Sequence, residues 1–86
     1  MRNSLRDTRY RAIVGRLVQL RLDLSVSQRA LAETLSQPRS YVSKVEIFER
    51  RLDFVQLVDW LRALGADERK FLVDMLKDIP VAKRKK

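Results

Sequence analysis

The sequence contains no cysteine and no histidine among its 86 residues. Without cysteine the chain forms no disulfide and no thiolate metal site, and without histidine it lacks the commonest zinc ligand and the commonest general base. Its carboxylates show no paired or metal-ligand spacing, and no combination of nucleophile and base is available. These absences argue against an enzyme, and we expect no cofactor and no metal.

Long apolar runs and turn residues are also scarce. No apolar run approaches the ~18 residues of a membrane span, and the N-terminus lacks the apolar core of a signal peptide, so we expect a cytoplasmic protein without membrane contact. Only two glycines and two prolines interrupt the chain. No segment alternates with the period of a strand, and the sequence therefore predicts an all-α protein.

Capping residues and apolar spacing divide the chain into five helices. The candidate N-caps are Asp7 or Thr8, Ser27, Asp53 and Asp67. The third helix begins near Pro38, which a first helical turn tolerates. The predicted helices span residues 8–23, 28–35, 38–47, 54–64 and 68–78. We expect residues 1–80 to form one domain and residues 81–86 to form a basic, disordered tail.

Basic residues outnumber acidic ones, and the net charge of +8 is unevenly distributed. Residues 1–51 carry eleven basic and five acidic side chains, whereas residues 52–82 carry four basic and six acidic ones. A basic N-terminal half is typical of a protein that binds a polyanion. Basic composition that serves only solubility is the alternative.

Two short helices joined by a tight turn, at residues 28–35 and 38–47, describe a helix-turn-helix. In the second of them, Val42 and Val45 mark the inward side. The polar residues that share the outward side are Arg39, Ser40, Ser43 and Lys44. Arginine and lysine donate to guanine O6 and N7, and serine bonds to most base edges, so this side is predicted to contact DNA bases. The alternative is a solvated helix face.

The segments "LSVSQRALAETL", "VSKVE" and "LVDWLRALG" resemble the phage-repressor and Cro-like helix-turn-helix family, also called the XRE family, over residues 17–65. The resemblance implies a compact five-helix repressor-like bundle that binds double-stranded DNA. It also implies base contacts at the positions of Arg39, Ser40 and Lys44. The expected contacts to the DNA backbone are Gln28, Tyr41, Arg50 and Arg51.

Arg21 lies on the apolar stripe of the first helix, where an unpaired charge is costly. Such a residue requires a partner. The resemblance to the XRE family supplies one, because the matching arginine there pairs with the glutamate that corresponds to Glu46. We therefore expect a partly buried ion pair between Arg21 and Glu46.

Two positions depart from the family pattern. Ser36 occupies the turn position that is usually glycine, and it must adopt a left-handed conformation if the turn is kept. Phe48, which follows Ile47, also replaces a glycine. Its presence predicts either a longer third helix or a ring that packs on the fourth helix or on another subunit, with packing inside the monomer as the preferred interpretation.

The fifth helix is apolar on more of its circumference than one docking face requires. We expect it to form a homodimer through Phe71, Leu72, Met75, Leu76 and Ile79. Two recognition helices would then meet successive major grooves about 34 Å apart and read a palindromic operator. The alternative is that this helix closes the monomer's own core around Trp60 and Leu64.

The resulting functional hypothesis is a sequence-specific DNA-binding transcriptional regulator of bacterial or phage type, located at the nucleoid, with repression as the expected mode. Two alternatives remain open. One is the antitoxin of a toxin–antitoxin pair, with a small toxin protein as its partner. The other is a protein-interaction module that keeps the fold without binding DNA, since fold alone does not establish function.

Overall fold

A computed structural model of the chain describes residues 4–79, which form helices and their connections without a strand. A single 3-10 turn at Ser4–Arg6, which the sequence did not predict, precedes five α-helices. These helices are α1 (Thr8–Asp23), α2 (Gln28–Thr34), α3 (Arg39–Glu46), α4 (Phe54–Ala63) and α5 (Glu68–Leu76). The all-α, five-helix fold predicted from the sequence is confirmed, and each helix ends within two residues of its predicted bounds. The predicted tail at 81–86 lies outside the described residues.

Side-chain caps fix where four of the helices begin. Asp7, Ser27 and Asp67 accept hydrogen bonds from backbone N–H groups in the first turns of α1, α2 and α5. At α4, Asp53 and Gln56 form a capping box, in which each side chain accepts from the other residue's backbone N–H. Each cap stabilises its helix by about 1 kcal/mol. The Ser27 cap thereby fixes where α2, the first helix of the helix-turn-helix, begins.

All five helices contribute to one core, and α3 is held against it by its own apolar side. Val42 and Val45 have no exposed surface, and Trp60 of α4 is also fully buried. The Trp60 Nε1–H donates to the Tyr41 hydroxyl at 3.2 Å, so the polar atom of the indole is satisfied inside the core. Ala32 of α2 is buried, and its small side chain permits the close approach of α2 and α3.

Three helices end in a left-handed residue that is not glycine. Ser25, Ser36 and Phe48 have φ angles of 58°, 56° and 65°. At Ser36 the backbone N–H groups of residues 36 and 37 donate to the carbonyls of Glu33 and Ala32, at 3.1 and 2.9 Å. This is the hydrogen-bond pattern of a Schellman helix end, for which glycine is the favoured residue. The left-handed conformation of Ser36 keeps the helix-turn-helix geometry and introduces local backbone strain.

Replacing Ser36 with glycine is expected to raise the free energy of unfolding by about 1 kcal/mol, because glycine adopts the left-handed conformation without a Cβ clash. The greater freedom of glycine in the unfolded chain offsets part of the gain. Urea denaturation measures the change as a higher midpoint at constant slope. The control is Ser40→Gly inside α3, which should lose about 0.5 kcal/mol. Equal changes from both substitutions would contradict the strain assigned to Ser36.

An ion pair joins α1 to the end of α5. The Arg16 guanidinium donates two hydrogen bonds to the Asp78 carboxylate, and these bonds lower the pKa of that carboxyl below its ordinary value. Phe71, one turn into α5, is buried in the core. The last helix is therefore part of the monomer's own bundle. Within residues 4–79, no helix is both long enough and apolar enough to cross a membrane.

Candidate nucleic-acid interface

The outward side of α3 brings the four predicted base-contacting residues together. Arg39, Ser40 and Lys44 are exposed, while Val42 and Val45 fix the opposite side in the core. The structure gives none of these three side chains a carboxylate partner among residues 4–79. The outward side therefore presents two unpaired cations and a hydroxyl on a firmly anchored helix.

Ser43 occupies the same side with a smaller exposed surface. It is half-buried, and its hydroxyl donates to the Ser40 carbonyl at 3.2 Å. This internal bond takes up the hydroxyl proton, so the oxygen remains chiefly an acceptor. Ser43 is thus suited to accept from a base amino group, such as N4 of cytosine or N6 of adenine, rather than to donate.

Arg21 and Glu46 form the ion pair expected at the end of α3. The Arg21 Nε lies 2.6 Å from Oε2 of Glu46, and Nη2 lies 2.9 Å from Oε1. The side chains are only 9% and 6% exposed. The remaining guanidinium nitrogen, Nη1, donates to the Val26 carbonyl at 2.8 Å. This bidentate pair ties α1 to the last residue of the recognition helix.

Gln28, the first residue of α2, belongs to the same network. Its Nε2 donates to Oε1 of Glu46 at 2.8 Å, and the residue is half-buried. The amide plane is thereby fixed while its carbonyl oxygen and second N–H remain available. The start of α2 and the end of α3 are held together through one carboxylate.

Tyr41 lies with the core and not with the DNA-contacting residues to which the sequence assigned it. It is only 6% exposed, its ring meets the edge of Trp60 at a centroid distance of 6.1 Å, and its hydroxyl accepts from the indole. The structure thus places Tyr41 in the core, whereas the sequence placed it among the predicted contacts to the DNA backbone. Spacing along α3 alone did not separate it from the exposed residues.

Arg50 lies in the loop after α3, four residues beyond Glu46, and its guanidinium stacks on the Tyr41 ring. Its guanidinium carbon is 5.0 Å from the ring centroid. The backbone N–H groups of Glu49 and Arg50 donate to the Lys44 carbonyl at 2.8 and 3.1 Å, which fixes the loop against the end of α3. Arg50 and its neighbour Arg51 are exposed. The two arginines continue the basic surface beyond the recognition helix.

Phe48 does not extend α3, so the longer third helix considered from the sequence is wrong, whereas the preferred interpretation, packing inside the monomer, is confirmed. The helix ends at Glu46, and Phe48 adopts the left-handed conformation of the glycine it replaces. The half-buried ring lies against the core and beneath the Arg11 guanidinium, whose carbon is 4.6 Å from the ring centroid. Sequence reasoning did not predict this contact, although Phe48 itself marked the departure from the family pattern.

The apolar residues of α5 divide between the core and the surface. Phe71 is buried in the monomer, and Leu72 and Met75 are half-buried against the core. Leu76 is 64% exposed, and Ile79 is half-buried. Phe71 contributes to the monomer's own core and leaves only 7% of its surface accessible to the predicted dimer contact. The other four residues keep some accessible surface.

The comparisons with known proteins identify a relative of known structure. No family model and no curated protein matches the chain. Among solved structures, the chain is similar to an XRE-family-like protein from Pseudomonas syringae pv. tomato, with a TM-score of 0.80 and 34% sequence identity. The match covers 90% of this chain and 94% of that protein. Nearly the whole of both chains is therefore shared.

Proposed function

The chain belongs to the XRE family of DNA-binding helix-turn-helix regulators, and from this premise we propose that it is a sequence-specific transcriptional repressor. The observation that carries the proposal is the anchoring of α3. Its inward residues are fully buried, while Arg39, Ser40 and Lys44 are exposed together and have no carboxylate partner within residues 4–79. A helix of this kind inserts into the major groove and exposes its side chains to base edges.

The interface divides into base-reading and backbone-binding residues. Arg39, Ser40, Ser43 and Lys44 read base edges. Gln28, Arg50 and Arg51 bind phosphates on either side of α3. The Arg21–Glu46 pair contacts no DNA and maintains the angle between α1 and α3. Repression follows when the bound protein covers a promoter. The positions of its binding sequence in the DNA then determine which genes are repressed.

Selection of bound sequences from random double-stranded DNA tests the proposal. We expect an enriched motif with two symmetric halves and an affinity for it at least 10³-fold higher than for random DNA. Binding without an enriched motif would contradict sequence-specific recognition. No binding even at low salt would contradict DNA binding altogether, and would favour a protein-interaction module on the same fold.

Replacing Arg50 with alanine is expected to weaken binding to all DNA sequences about equally and to reduce the slope of log K against log salt by about 0.9. The reason is that Arg50 binds a phosphate, so its removal leaves one counterion unreleased. Titration of the operator and of unrelated DNA at several salt concentrations measures both effects. The control is Arg69→Ala, an exposed arginine on α5. A loss confined to the operator would place Arg50 among the base readers.

The homodimer that we propose is formed through the accessible part of α5, at Leu72, Met75, Leu76 and Ile79. Replacing Leu76 with glutamate should make the protein monomeric in sedimentation equilibrium, because it places a charge in the apolar contact. Val55→Glu is the control, since Val55 is similarly exposed but lies on α4. Dissociation by Val55→Glu alone would move the interface to α4.

A second candidate function, that of an antitoxin, is favoured by the same exposed apolar side chains. Val73 and Leu76 lie on α5 with more than half of their surface accessible. A small toxin protein would cover them in place of a second copy. Co-purification of a stoichiometric partner encoded beside the gene would favour this function, and purification of a homodimer alone would oppose it.

A further inference from the structure

Phe48 is the least expected residue in the loop after α3. It has a φ of 65°, in the left-handed region that glycine favours and that bulky side chains avoid. Such strain persists only where the surrounding structure fixes it, and it clusters at functional positions. The hydrogen bonds from residues 48 and 49 back to Val45 and Lys44 hold the backbone in this conformation.

The ring of Phe48 supports the guanidinium of Arg11 from α1. The guanidinium carbon lies 4.6 Å from the ring centroid, and Nε donates to the Leu5 carbonyl at 2.8 Å. The Nη nitrogens of Arg11 make no hydrogen bond to residues 4–79, and no carboxylate there lies within ion-pair distance. Arg11 is exposed. The contacts therefore fix the plane of the guanidinium and leave its outer edge open.

A second arginine–aromatic stack involves the same loop. Arg50 rests on Tyr41, and it is only two residues along the chain from Phe48. Two residues span at most about 7 Å of extended chain. The hydrogen bond from the Leu52 N–H to the Tyr10 hydroxyl, at 2.9 Å, fastens this loop to the first turns of α1. Two guanidinium groups are thus each stacked on an aromatic ring of α3 or of the loop that follows it.

We infer that Arg11, held on the ring of Phe48, is a further binding site for a DNA backbone phosphate, in addition to those proposed at Gln28, Arg50 and Arg51. The inference rests on the proposed function and extends the DNA interface from the helix-turn-helix onto α1. The ligand is a phosphodiester, which a planar guanidinium binds through two parallel N–H groups. Holding the guanidinium on a ring before binding reduces the conformational entropy lost when the phosphate is bound.

The first test measures the salt dependence of operator binding by the full-length protein. Arg11→Gln should reduce the slope of log K against log salt by about 0.9, the value for one phosphate contact on B-DNA. Arg69→Gln removes the same charge from α5, away from the proposed site, and should leave the slope nearly unchanged. Equal slopes for Arg11→Gln and Arg69→Gln would overturn the inference.

The second test asks whether Phe48 acts through Arg11. Phe48→Leu keeps an apolar side chain but removes the aromatic face, and it should weaken operator binding about two- to fivefold. Phe48→Tyr restores the face and should restore the affinity. In the double variant with Arg11→Gln, Phe48→Leu should have no further effect, because the group that it positions is gone. Additive losses would overturn the assignment of Phe48 as a positioning residue.

Thermal unfolding of each variant distinguishes a loss of DNA binding from a loss of folding. DNA binding by the wild-type protein distinguishes failure of this inference from failure of the proposed function. If Phe48→Leu lowers the melting temperature, the rescue by Phe48→Tyr and the slope of Arg11→Gln still decide the outcome. Wild-type protein that binds no DNA overturns both proposals. Wild-type protein that selects a motif while Arg11→Gln keeps the full slope overturns only the phosphate site at Arg11.

Discussion

Replacing Glu46 with alanine is expected to lower the free energy of unfolding by about 3–5 kcal/mol, because it leaves the Arg21 guanidinium buried without its counterion. The Arg21 side chain is 9% exposed, so water cannot replace the lost carboxylate. Gln28 loses its hydrogen-bond acceptor as well. In a domain of this size, each kcal/mol corresponds to about 4–8 °C in melting temperature, and the transition should fall by more than about 12 °C.

Two further variants distinguish a buried ion pair from a surface one. Removing both charges, with Arg21→Met and Glu46→Leu together, should recover most or all of the stability, because no uncompensated charge remains. Glu68→Ala breaks the exposed pair with Arg62 and should change the free energy of unfolding by no more than about 1 kcal/mol. Chemical denaturation measures all three. A loss from Glu46→Ala no larger than that from Glu68→Ala would show that the pair does not hold α1 to α3.

The helix boundaries were predictable because their causes are local. Ser27, Asp53 and Asp67 each cap a helix through a backbone N–H that is three residues away. Such hydrogen bonds depend on the nearby sequence alone. The apolar spacing of α3 is equally local, and it placed Val42 and Val45 in the core. The bundle and its outward helix face follow from these short-range signals.

Some placements that the sequence did not predict depend on contacts between residues that are far apart in the chain. Tyr41 is buried because Trp60 of α4 donates to its hydroxyl, and no feature near residue 41 indicates that contact. Arg11 has a defined orientation because a loop far along the chain carries Phe48 beneath it. Phe71 shows a different limit, since apolar character does not reveal whether the surface that buries it belongs to the same chain.

The left-handed conformation of Phe48 was not predictable from the sequence, because a general preference for glycine at such a position does not determine which conformation a phenylalanine adopts there. The left-handed residue at a helix end is usually glycine, so the sequence favours an end of α3 at a position other than Phe48. The hydrogen bonds from residues 48–50 to Val45 and Lys44 keep the helix end, and the ring contacts the core and Arg11. The sum of these contacts exceeds the strain of one residue, which is on the order of 1–2 kcal/mol. Tertiary structure thus overrides the local preference.

Replacing Arg39 with alanine is expected to reduce discrimination between the operator and a single-base variant by about 1–3 kcal/mol, or roughly 5- to 150-fold. Arg39 is the first residue of α3, and it is exposed. The N-terminal residues of a recognition helix reach base edges most directly. The measurement is competition of operator variants, each altered at one base pair, against the wild-type and Arg39→Ala proteins. Discrimination should be lost at one position of each half-site.

Arg39→Lys separates the geometry of the contact from its charge. Lysine keeps the positive charge, so the salt dependence of binding should be unchanged, but it lacks the planar fork that donates to guanine O6 and N7 together. Its discrimination at the Arg39 position should fall between those of wild type and Arg39→Ala. If Arg39→Lys instead equals wild type at every base pair, Arg39 contributes charge without reading sequence. Base recognition would then lie with Ser40, Ser43 and Lys44.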